Sequence, residues 1–213
     1  MNYLIDHTNL NNTATFEDIE KLCKEAIEYN FATVCVHPFY VSIVKEYLKK
    51  TNIGVTTVVG FPLGMNTTQV KVYEAIDAAE NGADEIDMVI NIGAVKNKDY
   101  DYIKQEIEEV RDAIGAKILK VIIESSKLEK EEIIKMTEIC NQTFVQFIKT
   151  STGFDGCKAT LEAVNLINEH KLDVLEIKAS GGIKTASDCE AFVQAGATRI
   201  GTSNGINIIK GDE

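Results

Sequence analysis

A parallel (β/α)8 barrel of the TIM type, one domain over residues 1–213, is the fold this sequence predicts. Three observations lead there. Apolar runs of strand length recur eight times, amphipathic helical stretches separate them, and no Pro-, Ser- or Gly-rich linker divides the chain. Strict alternation implies parallel strands with right-handed crossovers, and eight units favour closure over an open sheet. No Gly-x-Gly-x-x-Gly follows the first clear strand, which weakens a dinucleotide-binding alternative.

The strands are expected near Leu4–Thr8, Ala32–His37, Val55–Gly60, Glu85–Ile90, Ile118–Glu124, Phe144–Lys149, Val174–Ala179 and Thr198–Thr202. Between them, apolar positions three and four apart mark helices. The first carries Phe16, Ile19, Leu22, Cys23, Ala26 and Ile27, with Thr15 placed as N-cap and Asp18 in its first turn. Others are expected over roughly 39–50, 67–81, 99–114, 129–141, 158–169 and 185–195. Two helices end alike, at Asn81-Gly82-Ala83 and Ala195-Gly196-Ala197, where glycine supplies the left-handed residue before the next strand.

Bulk properties narrow the function. A net charge of −11 leaves no surplus of lysine or arginine to neutralise phosphates, so a nucleic-acid partner is not expected. No apolar run approaches the roughly 20 residues that span a bilayer, and Asp6-His7-Thr8 interrupts any signal segment. The five cysteines include no Cys-x-x-Cys pair and read as reduced thiols of a cytoplasmic protein. The three histidines lack metal-ligand spacing, so no metal is expected.

In such a barrel the strand C-terminal ends line the active site. Here they carry charge. The sixth strand ends at Lys149, where the pattern asks for another apolar residue, and Thr150-Ser151-Thr152-Gly153 follows. The bland reading is a lysine that snorkels out of the strand end. Its neighbours favour another. Two-residue alternation groups Glu85 with Asp87, Lys120 with Glu124, and Glu176 with Lys178, on the faces that would point into the barrel. Burial and a cationic neighbour both push a lysine towards the free amine, of which an unperturbed lysine holds only about 0.04% at pH 7. Lowering its pKa by about three units makes it the nucleophile a Schiff base requires, with Asp87 available for proton transfer. Two late turns, Ser180-Gly181-Gly182-Ile183 and Gly201-Thr202-Ser203-Asn204-Gly205, suit a phosphate, bound through backbone N–H groups and small hydroxyls.

These motifs, with Ile5-Asp6-His7-Thr8, Val34-Cys35-Val36-His37-Pro38, Val59-Gly60-Phe61-Pro62-Leu63-Gly64, Glu85-Ile86-Asp87-Met88-Val89, Lys120-Val121-Ile122-Ile123-Glu124, Phe147-Ile148-Lys149-Thr150-Ser151-Thr152-Gly153-Phe154 and Arg199-Ile200-Gly201-Thr202-Ser203, run nearly end to end in one order. The sequence resembles the deoxyribose-phosphate aldolase family, class I aldolases with a (β/α)8 barrel. The resemblance implies reversible cleavage of 2-deoxy-D-ribose 5-phosphate to D-glyceraldehyde 3-phosphate and acetaldehyde, in deoxyribose phosphate catabolism and without a cofactor. By position Lys149 matches the Schiff-base lysine, Lys178 the second lysine that lowers its pKa, and Asp87 the proton donor and acceptor. Thr152, Gly181, Gly182, Gly201, Ser203 and Asn204 would hold the substrate and its phosphate. Three departures fall in loops: Asp155-Gly156-Cys157-Lys158 replaces a glycine run, Asn204 a second serine, and Ser125-Ser126-Lys127 a threonine-containing run, while Lys184 stands where arginine is frequent.

Other strand-end residues keep two readings. Asp6 supports the site or caps the following turn, Lys120 is a possible support, and Cys35 is a buried neutral thiol rather than a catalytic one. His7 and His37 read as hydrogen-bonded structural residues. A phosphosugar-binding barrel without turnover, and a class I aldolase for another phosphorylated aldehyde, are the competing functions. A homodimer is the default assembly, since C2 dimers are the commonest oligomers.

Overall fold

The computed structural model describes residues 1–211. Eight parallel strands close into a barrel in sequence order: β1 (Ile5–Asn9), β2 (Thr33–Val36), β3 (Gly54–Val59), β4 (Glu85–Val89), β5 (Ile118–Ile122), β6 (Phe147–Lys149), β7 (Glu176–Ser180) and β8 (Arg199–Thr202). Closure is made by β1 against β8, with Asp6 opposite Gly201 and His7 opposite Thr202. Around it lie α1 (Phe16–Tyr29), α2 (Val41–Leu48), α3 (Thr68–Glu80), α4 (Ile92–Lys96), α5 (Tyr100–Ala113), α6 (Lys130–Gln142), α7 (Leu161–His170), α8 (Ala186–Gln194) and α9 (Gly205–Lys210).

The elements follow from local chemistry. Thr15 caps α1 by accepting from the Asp18 N–H, and the Asp18 carboxylate accepts from the Thr15 N–H in return. Thr185 and Asp188 repeat that box on α8. Gly82 and Gly196 both sit at positive φ after their helices, as the sequence requires. Along β4, Ile86 and Met88 join the apolar layer under the helices, while Glu85 and Asp87 point the other way, into the barrel.

Several boundaries differ from the sequence reading. β6 begins at Phe147, because Phe144 takes a left-handed backbone (φ 53°) and leaves its ring 70% exposed. Val174 is likewise 71% exposed, so β7 starts at Glu176. Glu176 was expected inside with Lys178; it lies exposed at the opposite rim and accepts a hydrogen bond from the Thr198 hydroxyl at 2.9 Å. Phe16 and Ile27 fall off the buried stripe of α1, and Phe16 packs edge-on to Tyr40 instead. The short helices α4 and α9 are invisible to a periodicity argument because each is under two turns.

Candidate active site

The register of the sheet brings the charged residues together. Lys120 lies opposite Asp87, and Lys149 opposite Lys178, so four neighbouring strands deliver their side chains to one place. Asp87 is the hub. Its Oδ1 accepts from Lys120 Nζ at 2.7 Å, and its Oδ2 accepts from Lys149 Nζ at 2.8 Å and Lys178 Nζ at 2.7 Å. Lys178 Nζ also donates to Asp6 Oδ2, and Arg199 joins Asp6 Oδ1 to Glu85 Oε2 at 2.8 Å each. Glu85 pairs in turn with Lys120 at 2.7 Å. Asp6 therefore reaches into the barrel and does not cap the turn after β1.

This cluster contains four basic side chains (Lys120, Lys149, Lys178, Arg199) and three carboxylates (Asp6, Glu85, Asp87). Charges in an interior are tolerated when they balance. Three against three is reached when Lys149 is the neutral amine, and the electrostatics run that way. Burial pushes the Lys149 pKa down, Asp87 opposes this, and the charge of Lys178 adds to the lowering. Lys178 itself is buried, yet Asp6 and Asp87 outweigh burial and hold it above the ordinary lysine range. Lys120 goes up for the same reason, chiefly through Asp87. For Asp87, burial favours the neutral acid, but Lys120, Lys149 and Lys178 keep it ionised well below the usual carboxylate range. Asp6 is held low despite burial by Lys178, Lys120 and Arg199.

Above the cluster a cavity of about 700 Å³ opens at the C-terminal mouth. Lys149 lines it, as do Thr152, Gly181, Gly182, Gly201, Ser203 and Asn204. Lys149 is 3% exposed, the tip of the cluster that meets the cavity. Asp6, Asp87, Lys120 and Lys178 lie below and do not line it. Gly201 clears space for another side chain: a Cβ there would stand 2.9 Å from Lys178 Cε. Gly181, at φ 91°, could carry no Cβ, since it would meet the Cys157 carbonyl at 2.7 Å. The Asn204 N–H donates to the Thr202 hydroxyl at 2.9 Å, and its side-chain amide donates to the Ser203 hydroxyl at 3.4 Å. Lys184 lines the same cavity from the loop after β7.

Cys35 is fully buried beside Leu10 and Val58, and burial pushes its thiol pKa up. His7 Nε2 meets Glu25 at 2.8 Å and His37 Nε2 meets the Leu10 carbonyl at 3.0 Å.

Three features escaped sequence reasoning. Arg199 starts β8, where inward alternation with Gly201 could have pointed to it. Alternation groups Glu124 with Lys120 on the fifth strand, but β5 ends at Ile122, and what the sequence hides is the partner of Glu124. Glu124 follows the strand in a left-handed backbone (φ 52°, ψ 56°), which costs a non-glycine residue about 1–3 kcal/mol. Its two oxygens accept from the Thr152 N–H at 3.1 Å and the Thr152 hydroxyl at 2.6 Å. The third is a fully buried pair behind the barrel, Lys71 on α3 and Glu106 on α5, 2.7 Å apart. Lys71 also donates to the Val89 carbonyl, and Glu106 accepts from the Asn91 N–H, so the pair braces the end of β4.

A closed (β/α)8 barrel with ionisable side chains gathered beneath a C-terminal mouth defines an enzyme of the barrel class. Comparison with known proteins names the group within it. Residues 1–211 match the DeoC/LacD family aldolase profile, and the chain belongs to that family. It is 53% identical over 209 residues to a deoxyribose-phosphate aldolase of Clostridioides difficile, covering 98% of this chain and 95% of the relative. It is 52% identical over 212 residues to that of Thermococcus gammatolerans, with 97% and 94% covered. Among solved structures, the tetrameric deoxyribose phosphate aldolase of Aeropyrum pernix superposes with a TM-score of 0.92 at 28% identity, over 98% of this chain and 89% of that one. The protein is an aldolase. Among the described residues, no helix is long and apolar enough to cross a membrane.

Proposed function

We propose that this aldolase cleaves 2-deoxy-D-ribose 5-phosphate reversibly to D-glyceraldehyde 3-phosphate and acetaldehyde through a Schiff base on Lys149. One observation carries the reading: Lys149 is the buried lysine of the cluster that reaches the cavity, and its charge is the one the surroundings disfavour. Its free amine adds to the C1 aldehyde and loses water to give an iminium. A base takes the C3 hydroxyl proton, the C2–C3 bonding electrons flow into the iminium, and glyceraldehyde 3-phosphate leaves. The enamine is protonated at C2, and water then releases acetaldehyde and restores the amine.

Asp87 serves as the relay beneath this exchange. Its low pKa makes it a poor base alone, but its Oδ2 touches both Lys149 and Lys178, so a proton leaving one lysine can be returned through the other. Gly181, Gly182, Ser203, Asn204 and Lys184 face the cavity on the side suited to the phosphate.

Incubation with acetaldehyde and borohydride should add a two-carbon adduct to the Lys149 peptide. An unmodified Lys149 in protein that still cleaves substrate would sink the assignment. A coupled assay across several phosphorylated aldoses separates this substrate from others of its class.

A further inference from the structure

We infer that Glu124 sets the hydrogen-bond polarity of Thr152, making it an acceptor that selects a phosphorylated aldehyde with a hydroxyl beside its carbonyl; the inference rests on the aldolase reading above. A threonine hydroxyl has one hydrogen to give and two lone pairs to accept with. The hydrogen of Thr152 is committed to Glu124 Oε2 at 2.6 Å, and one lone pair accepts from the Phe154 N–H at 3.1 Å. A carboxylate can only accept, so Glu124 cannot exchange roles with the hydroxyl. Its second oxygen takes the Thr152 N–H at 3.1 Å, which fixes the residue at backbone and side chain together. What remains towards a ligand is one lone pair. Thr152 lines the cavity with Lys149 and precedes Gly153, which lies against Gly181.

Thr152 thus stands between the iminium and the turns that face the phosphate. Two substrate hydroxyls fall in that interval. The C3 oxygen must face the proton relay of Lys149, Asp87 and Lys178, because its proton is the one transferred. The C4 hydroxyl, which belongs to the glyceraldehyde half, is left to donate to Thr152. Glu124 is then a positioning residue: it touches no substrate but decides what its neighbour can recognise. Its left-handed backbone is what aims both carboxylate oxygens at residue 152.

The experiment compares kcat/KM in the synthetic direction, with acetaldehyde as donor, for D-glyceraldehyde 3-phosphate and its analogue with fluorine in place of the C2 hydroxyl. Fluorine cannot donate. Because every variant meets the same two acceptors, intrinsic reactivity and the fraction of folded enzyme cancel when the ratio is compared between proteins. Glu124→Gln places a donor against Thr152 Oγ1 and frees the threonine hydrogen, so the hydroxyl-to-fluorine preference should fall by about tenfold. Thr152→Val, which has no acceptor, should lower it similarly, and Thr152→Ser should retain it. A wild-type ratio in either Glu124→Gln or Thr152→Val overturns the inference, and Thr152→Val decides alone if the Glu124 variant does not fold. Failure of borohydride to trap acetaldehyde on the wild-type protein would instead overturn the aldolase mechanism.

Discussion

Lys149 and Lys178 share one oxygen: Asp87 Oδ2 accepts from the first at 2.8 Å and from the second at 2.7 Å. Two ammonium groups cannot both be comfortable there, and the surroundings decide between them. Asp6 gives Lys178 a second carboxylate, whereas Lys149 has only the shared one. Lys178 therefore holds its proton more firmly than Lys149, whose charge the surroundings disfavour.

Lys178→Leu should raise the Lys149 pKa. It removes one of the two causes that lower it and leaves the whole of Asp87 to attract the remaining ammonium. The acid limb of the pH–rate profile for imine formation should move to higher pH, with a lower rate at neutrality. An unchanged profile would remove Lys178 from this role.

Asp87→Asn separates imine formation from proton relay. Without the carboxylate Lys149 loses its main attraction for a proton, so trapping by acetaldehyde and borohydride should persist at neutral pH. Turnover should fall by about 10²–10⁴-fold. Because three lysines lose a buried partner, urea unfolding should show a loss of about 3–5 kcal/mol.

The depressed carboxyls also fix the acid side of the stability curve. Asp6 and Asp87 have folded pKa values below their unfolded ones, so the unfolded chain binds more protons as acid is added. Their contribution is complete above about pH 4 and is lost as pH falls through the folded values. Urea midpoints should decline below about pH 4, and Asp6→Asn should make that decline shallower.

Lys71→Met tests the brace behind β4. It leaves the Glu106 carboxylate buried and unpaired, and should cost about 3–5 kcal/mol in urea unfolding. Lys71→Met with Glu106→Gln removes the orphaned charge while retaining an acceptor for the Asn91 N–H, and should recover more than half of the loss. Equal losses in the single and double variants would mean that packing, not the ion pair, matters at this position.

Gly201→Ala should reduce kcat by at least about tenfold. The new methyl would stand 2.9 Å from Lys178 Cε and 3.0 Å from Ser180 Cβ, and Lys178 is held by two carboxylates and has nowhere to retreat. An active Gly201→Ala enzyme would show that the position of Lys178 is not critical.

Alternation of apolar and charged residues made the barrel and its inward charges legible in the sequence. Asp87, Lys120 and Lys178 could be placed on interior faces because a strand has a strict period of two. The same rule misplaced Glu176, since it assigns a face but not a height, and height decides whether a carboxylate is buried or at the rim. Phe144 and Glu124 show a second limit. Both adopt left-handed backbone without being glycine, a choice made by tertiary contacts rather than local preference. The Lys71–Glu106 pair could not be found at all, because each residue alone reads as an ordinary charge on a helix.

The bond from Asp6 to Lys178 joins residues 172 positions apart, and that from Asp6 to Arg199 spans 193. The strand that carries Asp6 is the first of the barrel in chain order, yet it must wait for the last two to find its partners. Until β8 docks, Lys178 lacks one of its two carboxylates and Arg199 is without Asp6, so a partly folded chain holds Lys149 without the full electrostatic surroundings of the closed barrel. Such distant contacts make folding slow. They also make the electrostatics of the site report on completion: Lys178 and Arg199 gain Asp6 as a partner only when β1 has met β8.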